Sequence, residues 1–204
     1  MDFEEFLSNF RLGETVLVEY SACSRPELLF YDIVTYSKLP IVVDDLVDSL
    51  YEYYVRLKLA GINVGKLENI KVIKTGGSKN VGSVIGKLEL GKYIMNVGEY
   101  AKVMDKAGKP PFTNLVLGIH KLIFLGSMLE NMKLLKMLSD YVGNESRVAF
   151  YFLNRDATEK FSPAILALME EISTSVVLLE GETIIVKKAI NEDMLGERIP
   201  LLKP

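Results

Sequence analysis

Two adjacent acidic residues, Asp44 and Asp45, follow a short apolar run, and their carboxylates could do chemistry together. Carboxylate pairs bind divalent cations or activate water as a general base. The only histidine, His120, follows another apolar run, so a metal cluster of these three residues is one hypothesis, because three ligands with an open position suffice for a catalytic metal. We favour another interpretation, in which Asp45 caps a helix beginning at Leu46 while Asp44 and Asp48 complement the helix dipole.

A single cysteine, Cys23, could serve as a nucleophile if a base stood near it. No such base is visible in the neighbouring sequence, and free cysteines are commonly small buried residues, which is what we expect here. One cysteine also excludes an internal disulfide framework and a thiolate zinc cluster.

A basic segment lies between residues 65 and 92, which contain six lysines and only two glutamates in a chain of net charge −3. Within it, Lys74, Ser78 and Lys79 flank two glycines and could present ammonium groups and backbone N–H groups to a phosphate or a nucleic acid. The segment lacks the arginines and interleaved aromatic residues that base recognition and stacking use. We therefore expect a solvated hairpin, and anion or nucleic-acid binding through residues 74–92 is the alternative.

The composition is that of a packed globular chain: 204 residues, 49% hydrophobic and 25% charged. We expect a single domain over residues 1–204. The small net charge excludes a strongly basic nucleic-acid coat, and the absence of tryptophan and glutamine with abundant lysine and glutamate is typical of a heat-adapted source.

The chain begins with acidic residues where a signal peptide would be basic, which predicts a cytoplasmic protein. The apolar stretch over 110–129 could be mistaken for a membrane span. Two prolines open it and His120 and Lys121 lie at its middle, so we expect a buried strand and a turn, and no membrane association.

Apolar runs of strand length alternate with segments of helical period, which predicts a mostly parallel sheet with helices on both faces. The predicted strands cover 15–20, 40–44, 70–73, 92–95, 112–119 and 148–153, with a closing hairpin over 176–186. The predicted helices cover 25–37, 47–61, 99–106 and 128–143, and a last one opens at 162.

This order of elements resembles the RecA-like core of the KaiC-type ATPases over residues 10–190. The local matches are G-E-T-V-L-V-E at 13–19, L-A-G-I at 59–62 and V-V-L-L-E at 176–180. More closely, the chain resembles an uncharacterised archaeal family that keeps this core. The resemblance implies a three-layer RecA-like α/β domain with a C-terminal hairpin, and self-association or pairing with a RecA/KaiC-like relative.

The nucleotide loop that this resemblance implies is degenerate. A working phosphate loop needs glycines, a lysine and a hydroxyl residue at fixed positions. Here Tyr20 and Arg25 stand at the glycine positions, Pro26 at the lysine position and Glu27 at the hydroxyl position. The remaining residues of the degenerate loop are Ser21, Cys23 and Ser24.

The same loop sequence also predicts a capping box, in which Ser24 and Glu27 satisfy each other's backbone donors at the start of a helix. In ATPases of this type the central strand ends in an aspartate that holds the magnesium water, and here Gly118 stands in that place.

Two losses in one site predict a pseudo-ATPase: a noncatalytic binding or assembly module with no cofactor. The alternatives remain open. Asp44 and Asp45 stand where KaiC-like enzymes carry paired catalytic glutamates, so a metal-dependent hydrolase using them, with or without His120, is the first. Anion or nucleic-acid binding through 74–92 is the second.

Overall fold

The computed structural model describes residues 1–90 and 97–202, and these residues form nine strands and eight α-helices. The strands are β1 (Thr15–Tyr20), β2 (Ile41–Leu46), β3 (Lys71–Thr75), β4 (Ser83–Leu88), β5 (Phe112–Leu117), β6 (Arg147–Asn154), β7 (Ser175–Glu180), β8 (Thr183–Lys188) and β9 (Arg198–Pro200). The helices are α1 (Phe3–Ser8), α2 (Pro26–Tyr36), α3 (Ser49–Leu59), α4 (Val97–Met104), α5 (Ile119–Leu125), α6 (Met128–Tyr141), α7 (Arg155–Phe161) and α8 (Pro163–Ile172).

All nine strands form one sheet in the order β4-β3-β2-β5-β6-β1-β7-β8-β9. The pairs from β4 to β7 are parallel, and only β8 and β9 run antiparallel to their neighbours. The central strands β1 and β5 are buried along their whole length, as expected of parallel strands covered on both faces. The predicted α/β class, the mostly parallel sheet and the β7–β8 hairpin are confirmed.

Helices cover both faces because parallel crossovers are right-handed. The chain moves in one direction from β1 through β2 to β3, so α2 and α3 pack on one face, around Val16 and Val18. It then returns from β4 through β5 and β6 to β7, so α5, α6 and α8 pack on the other face, around Leu17. No helix among the described residues is long and apolar enough to cross a membrane.

Several elements differ from the sequence-based expectation. The solvated hairpin expected in the basic segment is wrong, because β4 pairs with β3 in parallel. The strand β4 was not predicted, since it is an edge strand that is only partly buried and lacks a clear apolar pattern. The apolar run from residue 112 contains a strand and the separate helix α5, joined at Gly118. The helices α1 and α7 and the strand β9 were not predicted, and the predicted strand over 92–95 lies outside the described residues.

A buried carboxyl group, Glu19 on β1, faces α7 and α8. Its Oε2 accepts a hydrogen bond from Arg155 Nη1 at 3.1 Å, and the side chain is fully buried. Burial raises the pKa of Glu19 to about 7, the neighbouring Glu170 adds to the rise and Arg155 opposes it. Folding therefore favours the protonated form.

We expect the substitution Glu19→Gln to remove a pH-dependent part of the stability. The folded-state pKa of about 7 lies above the ordinary value of 4.5, so this contribution is complete below pH 4.5 and is lost as the pH rises through 7. Urea unfolding across this range should show the parent losing stability relative to the variant. A difference between the two proteins that stays constant with pH would contradict this assignment.

Candidate functional site

A polar cleft of about 130 Å³ opens at the carboxyl edge of the sheet. The chain leaves the adjacent strands β1 and β6 toward opposite faces, and ligands of open α/β sheets bind at such switch points. We call this space the edge cleft. It is lined by Tyr20, Ser21, Ala22, Ser24, Pro26, Ser49, Glu52, Tyr53, Arg56, His120, Lys121 and Asn154.

The degenerate loop after β1 is tied to the neighbouring strand β7. The Ser24 hydroxyl donates to the backbone oxygen of Leu179 at 2.9 Å and lies 3.0 Å from the Ser21 hydroxyl. The residue at the N-cap of α2 is Arg25, and its side chain makes no capping hydrogen bond. The predicted capping box is therefore wrong, because the Ser24 hydroxyl is used by a strand end.

Glu27 lies buried in the first turn of α2, where the resemblance would have the nucleotide phosphate. Its Oε1 lies 3.4 Å from Arg25 Nε, and its Oε2 lies 3.8 Å from Arg56 Nη1. A helix N-terminus stabilises a negative charge, and here the side chain of Glu27 supplies that charge.

Cys23 is exposed, which corrects the expectation of a buried cysteine.

Gly118 joins β5 to α5 with a φ of +85°, in the left-handed region. A Cβ at this position would lie 2.0 Å from Ser49 Oγ and 2.9 Å from the backbone oxygen of Leu46. The Ser49 hydroxyl is held there because it donates to that same oxygen at 2.7 Å. The space that a metal-binding carboxylate would need beside β5 is therefore filled by the turn after β2.

His120 lies in the first turn of α5, on the wall of the edge cleft. Its Nδ1 accepts a long hydrogen bond of 3.4 Å from the backbone N–H of Asn154. Burial and, to a smaller extent, the charge of Lys121 together lower the pKa of His120 to about 4. The imidazole is therefore neutral at pH 7 and helps to join the ends of β5 and β6.

Asp44 and Asp45 point to opposite faces of the sheet, as consecutive strand residues do. Asp44 Oδ2 accepts hydrogen bonds from Tyr100 at 2.9 Å and from Asn114 at 2.8 Å. Burial raises the pKa of Asp44, while the hydrogen bond from Asn114 and the charge of Arg147 oppose that rise. The carboxyl group is enclosed in a polar network below α4.

Asp45 contacts the start of α3 from the other face. Its Oδ1 accepts from the backbone N–H of Leu50 at 2.9 Å, and its Oδ2 accepts from Lys74 Nζ at 2.8 Å. The prediction of Asp45 as the N-cap of a helix from Leu46 is wrong, because Asp45 lies on β2 and the N-cap of α3 is Asp48; the Asp45 side chain nevertheless binds a first-turn N–H of that helix. Nothing in residues 1–90 and 97–202 groups three or more His, Cys, Asp or Glu side chains for a metal, so Asp44, Asp45 and His120 are not brought together.

The three anion-binding candidates, Lys74, Ser78 and Lys79, do converge, but on a carboxylate of the same chain. Asp48 Oδ2 accepts from the backbone N–H of Ser78, and Asp48 Oδ1 accepts from that of Lys79, both at 2.9 Å. Lys74 Nζ, only 2% exposed, donates to Asp48 Oδ1 and to Asp45. Lys74 is thus neutralised internally, which sequence reasoning missed because Asp48 was assigned to the helix dipole.

Comparison with known proteins identifies a family and a solved structure similar to this chain. Residues 5–200 match the model of a family described as "Pyrococcus protein of unknown function, DUF257". The chain belongs to the DUF257 family. A solved structure from Pyrococcus horikoshii OT3, reported as a structural study, is 50% identical, with 100% of both chains covered and a TM-score of 0.94.

The resemblance to an uncharacterised archaeal family is thereby confirmed for this DUF257 protein. In the comparison with curated proteins, no protein matches the chain. The site chemistry must therefore be argued from the residues themselves.

A pair of glycine substitutions tests how tightly the Gly118 position is filled. Gly118 and Gly143 have nearly the same φ, +85° and +82°, but a Cβ at Gly143 meets nothing within 4 Å. We expect Gly118→Ala to lower the free energy of unfolding by about 1–3 kcal/mol more than Gly143→Ala does, because only the former adds a clash. Equal losses in urea unfolding would mean that the Ser49 turn moves away freely.

Proposed function

We propose that this DUF257 protein is a noncatalytic RecA-like protein, a pseudo-ATPase that acts as a binding or assembly module without hydrolysing ATP. The observation that carries the proposal is the packing around Gly118. A carboxylate for the magnesium water has no room there, since a Cβ alone would lie 2.0 Å from Ser49 Oγ.

The polypeptide's own charges support the same proposal. Glu27 puts a carboxylate into the first turn of α2, where it would repel a nucleotide phosphate, and Arg25 and Arg56 lie beside it. The central position of β1, the helices on both faces of the sheet and the C-terminal hairpin agree with what a three-layer RecA-like core requires.

A metal-dependent hydrolase is not favoured, because each acid of the pair is already engaged. Asp44 accepts hydrogen bonds from Tyr100 and Asn114, and Asp45 forms an ion pair with Lys74. Nucleic-acid binding through residues 74–92 is not favoured either, because Lys74 is buried.

Exposed apolar side chains at the ends of α5, α6 and α7 support an assembly role. Phe161 is 65% exposed and packs edge-on against Phe124 with a centroid distance of 4.8 Å. Monomeric proteins keep such patches small. We propose that a second copy of this chain, or a RecA-like relative, covers them. The exposed members are Leu125, Met128, Leu129, Met132 and Phe161.

ATP with magnesium should not stabilise the protein. Saturation at 100 times a Kd would add about 2.7 kcal/mol, which raises the Tm of a domain of this size by about 2–4 °C per kcal/mol. We expect no shift in a thermal melt, with an active RecA-like ATPase measured in parallel as the positive control. A clear nucleotide-dependent rise would refute the pseudo-ATPase proposal.

The assembly part of the proposal is tested with Phe161→Glu. We expect the parent to self-associate in sedimentation velocity at about 100 µM, and the variant to sediment as a monomer because a buried charge is costly at an interface. The matched control is Leu59→Glu, which changes another exposed residue (83% exposed) on a helix of the opposite face. A monomeric parent, or equal dissociation by both variants, would argue against this surface.

A further inference from the structure

Three hydrogen-bond donors from β3 and from the turn between β3 and β4 surround the carboxylate of Asp48. Two consecutive backbone N–H groups, of Ser78 and Lys79, each donate at 2.9 Å to Asp48, and the buried ammonium of Lys74 donates to it from the side. Consecutive N–H groups joined by an ammonium are the arrangement with which proteins bind phosphate and related oxyanions. The anion in this place is an internal carboxylate.

Gly77 allows that close approach. Its φ is +73°, and a Cβ there would lie 2.3 Å from Asp48 Oδ1. Any side chain at residue 77 would therefore occupy the space that the oxyanion oxygen uses. Gly77 is thus the glycine of this segment that makes room for a carboxylate oxygen, whereas Gly76 lies against Leu90.

Asp48 reaches the site on an unfavourable backbone. Val47 and Asp48 have φ values of +51° and +60°, the only positive values among the described residues other than glycine. A β-branched residue in this region is an outlier that surrounding contacts must hold. Those contacts are a hydrogen bond from Val47 N to Thr75 O at 3.0 Å and one from Lys121 Nζ to Val47 O at 3.1 Å.

Lys79 places a positive charge beside the site even without Asp48, whereas Lys74 then stays paired with Asp45. Burial would raise the pKa of Asp48, but the hydrogen bonds from Lys74, Ser78 and Lys79 outweigh it and the pKa lies below its usual value. The ammonium of Lys79 lies 5.7 Å from the Tyr51 ring, and no carboxylate of the described residues lies within ion-pair distance of it. The Lys79 ammonium can therefore supply an uncompensated positive charge at the rim of the site.

We propose that residues 74–79 form a receptor for phosphate-class oxyanions, and that Asp48 occupies it as an internal competitor. The Asp48 side chain is 24% exposed, so the site is open to solvent on one side. An external oxyanion enters when this carboxylate turns outward, and it then takes over the hydrogen bonds from Ser78, Lys79 and Lys74. This receptor lies apart from the degenerate loop and does not depend on the proposed function.

The test uses Asp48→Gly, which empties the site and suits a left-handed backbone. Thermal melts are recorded with inorganic phosphate, and separately with glycerol 3-phosphate, against sodium chloride at equal ionic strength. At ten times the Kd we expect the Tm of the variant to rise by about 3–6 °C, and that of the parent by less than about 1 °C at the same concentration. A rise with phosphate alone would identify a receptor for the free ion, and a rise with both would extend it to phosphate monoesters.

Two control variants separate a receptor from a general effect of charge. Asp48→Asn removes the negative charge but still fills the site, so its response should be much smaller than that of Asp48→Gly. Adding Gly77→Ala to Asp48→Gly fills the place of the oxyanion oxygen and should abolish the response. An equal rise in Asp48→Asn, or none in Asp48→Gly, would overturn the proposal. If Asp48→Gly does not fold, the same titration of Asp48→Ala decides between these results.

Discussion

The buried ion pair between Lys74 and Asp45 fixes the carboxyl edge of the sheet. It joins β2 to β3, and the second bond of Lys74, to Asp48, ties β3 to the turn before α3. Removing one member of such a pair leaves an uncompensated buried charge, which typically costs about 3–5 kcal/mol. The same Asp45 carboxylate sets the start of α3 through the backbone N–H of Leu50, so the position of that helix depends on this pair.

A second polar network does the equivalent work on the other face. Arg147 on β6 donates to Asn114 on β5 and to the Tyr151 hydroxyl at 3.0 Å, and its guanidinium lies 4.4 Å from the Tyr141 ring centroid. Asn114 in turn donates a hydrogen bond to Asp44 on β2. The two adjacent aspartates, which in isolation look like an acid–base pair, are thus structural ties on opposite sides of the central sheet.

The sheet could be predicted because its strands are apolar runs of the right length separated by helical periods. The edge strand β4 could not, since it is partly exposed and its residues carry no strong pattern. Most of the site lies beyond local sequence reasoning. The Ser24 hydroxyl donates a hydrogen bond to Leu179, 155 positions away in the chain, and the sequence around Ser24 does not indicate that partner. The Gly-Gly-Ser segment was expected to present N–H groups to an external anion, and those groups instead bind Asp48, which is positioned by two residues in the left-handed region.

The packing of Ser49 against Gly118 also limits how a magnesium site could evolve at this position. If the chain comes from an ancestor with a working magnesium site, no single substitution leads back to it. A carboxylate at residue 118 collides with the turn after β2 unless Ser49 changes too, and the phosphate loop needs several replacements before the metal has a use. A carboxylate gained at residue 118 alone would disturb the Ser49 turn before any phosphate loop existed to use the metal. Selection acting one mutation at a time would therefore disfavour that return in lineages with this packing.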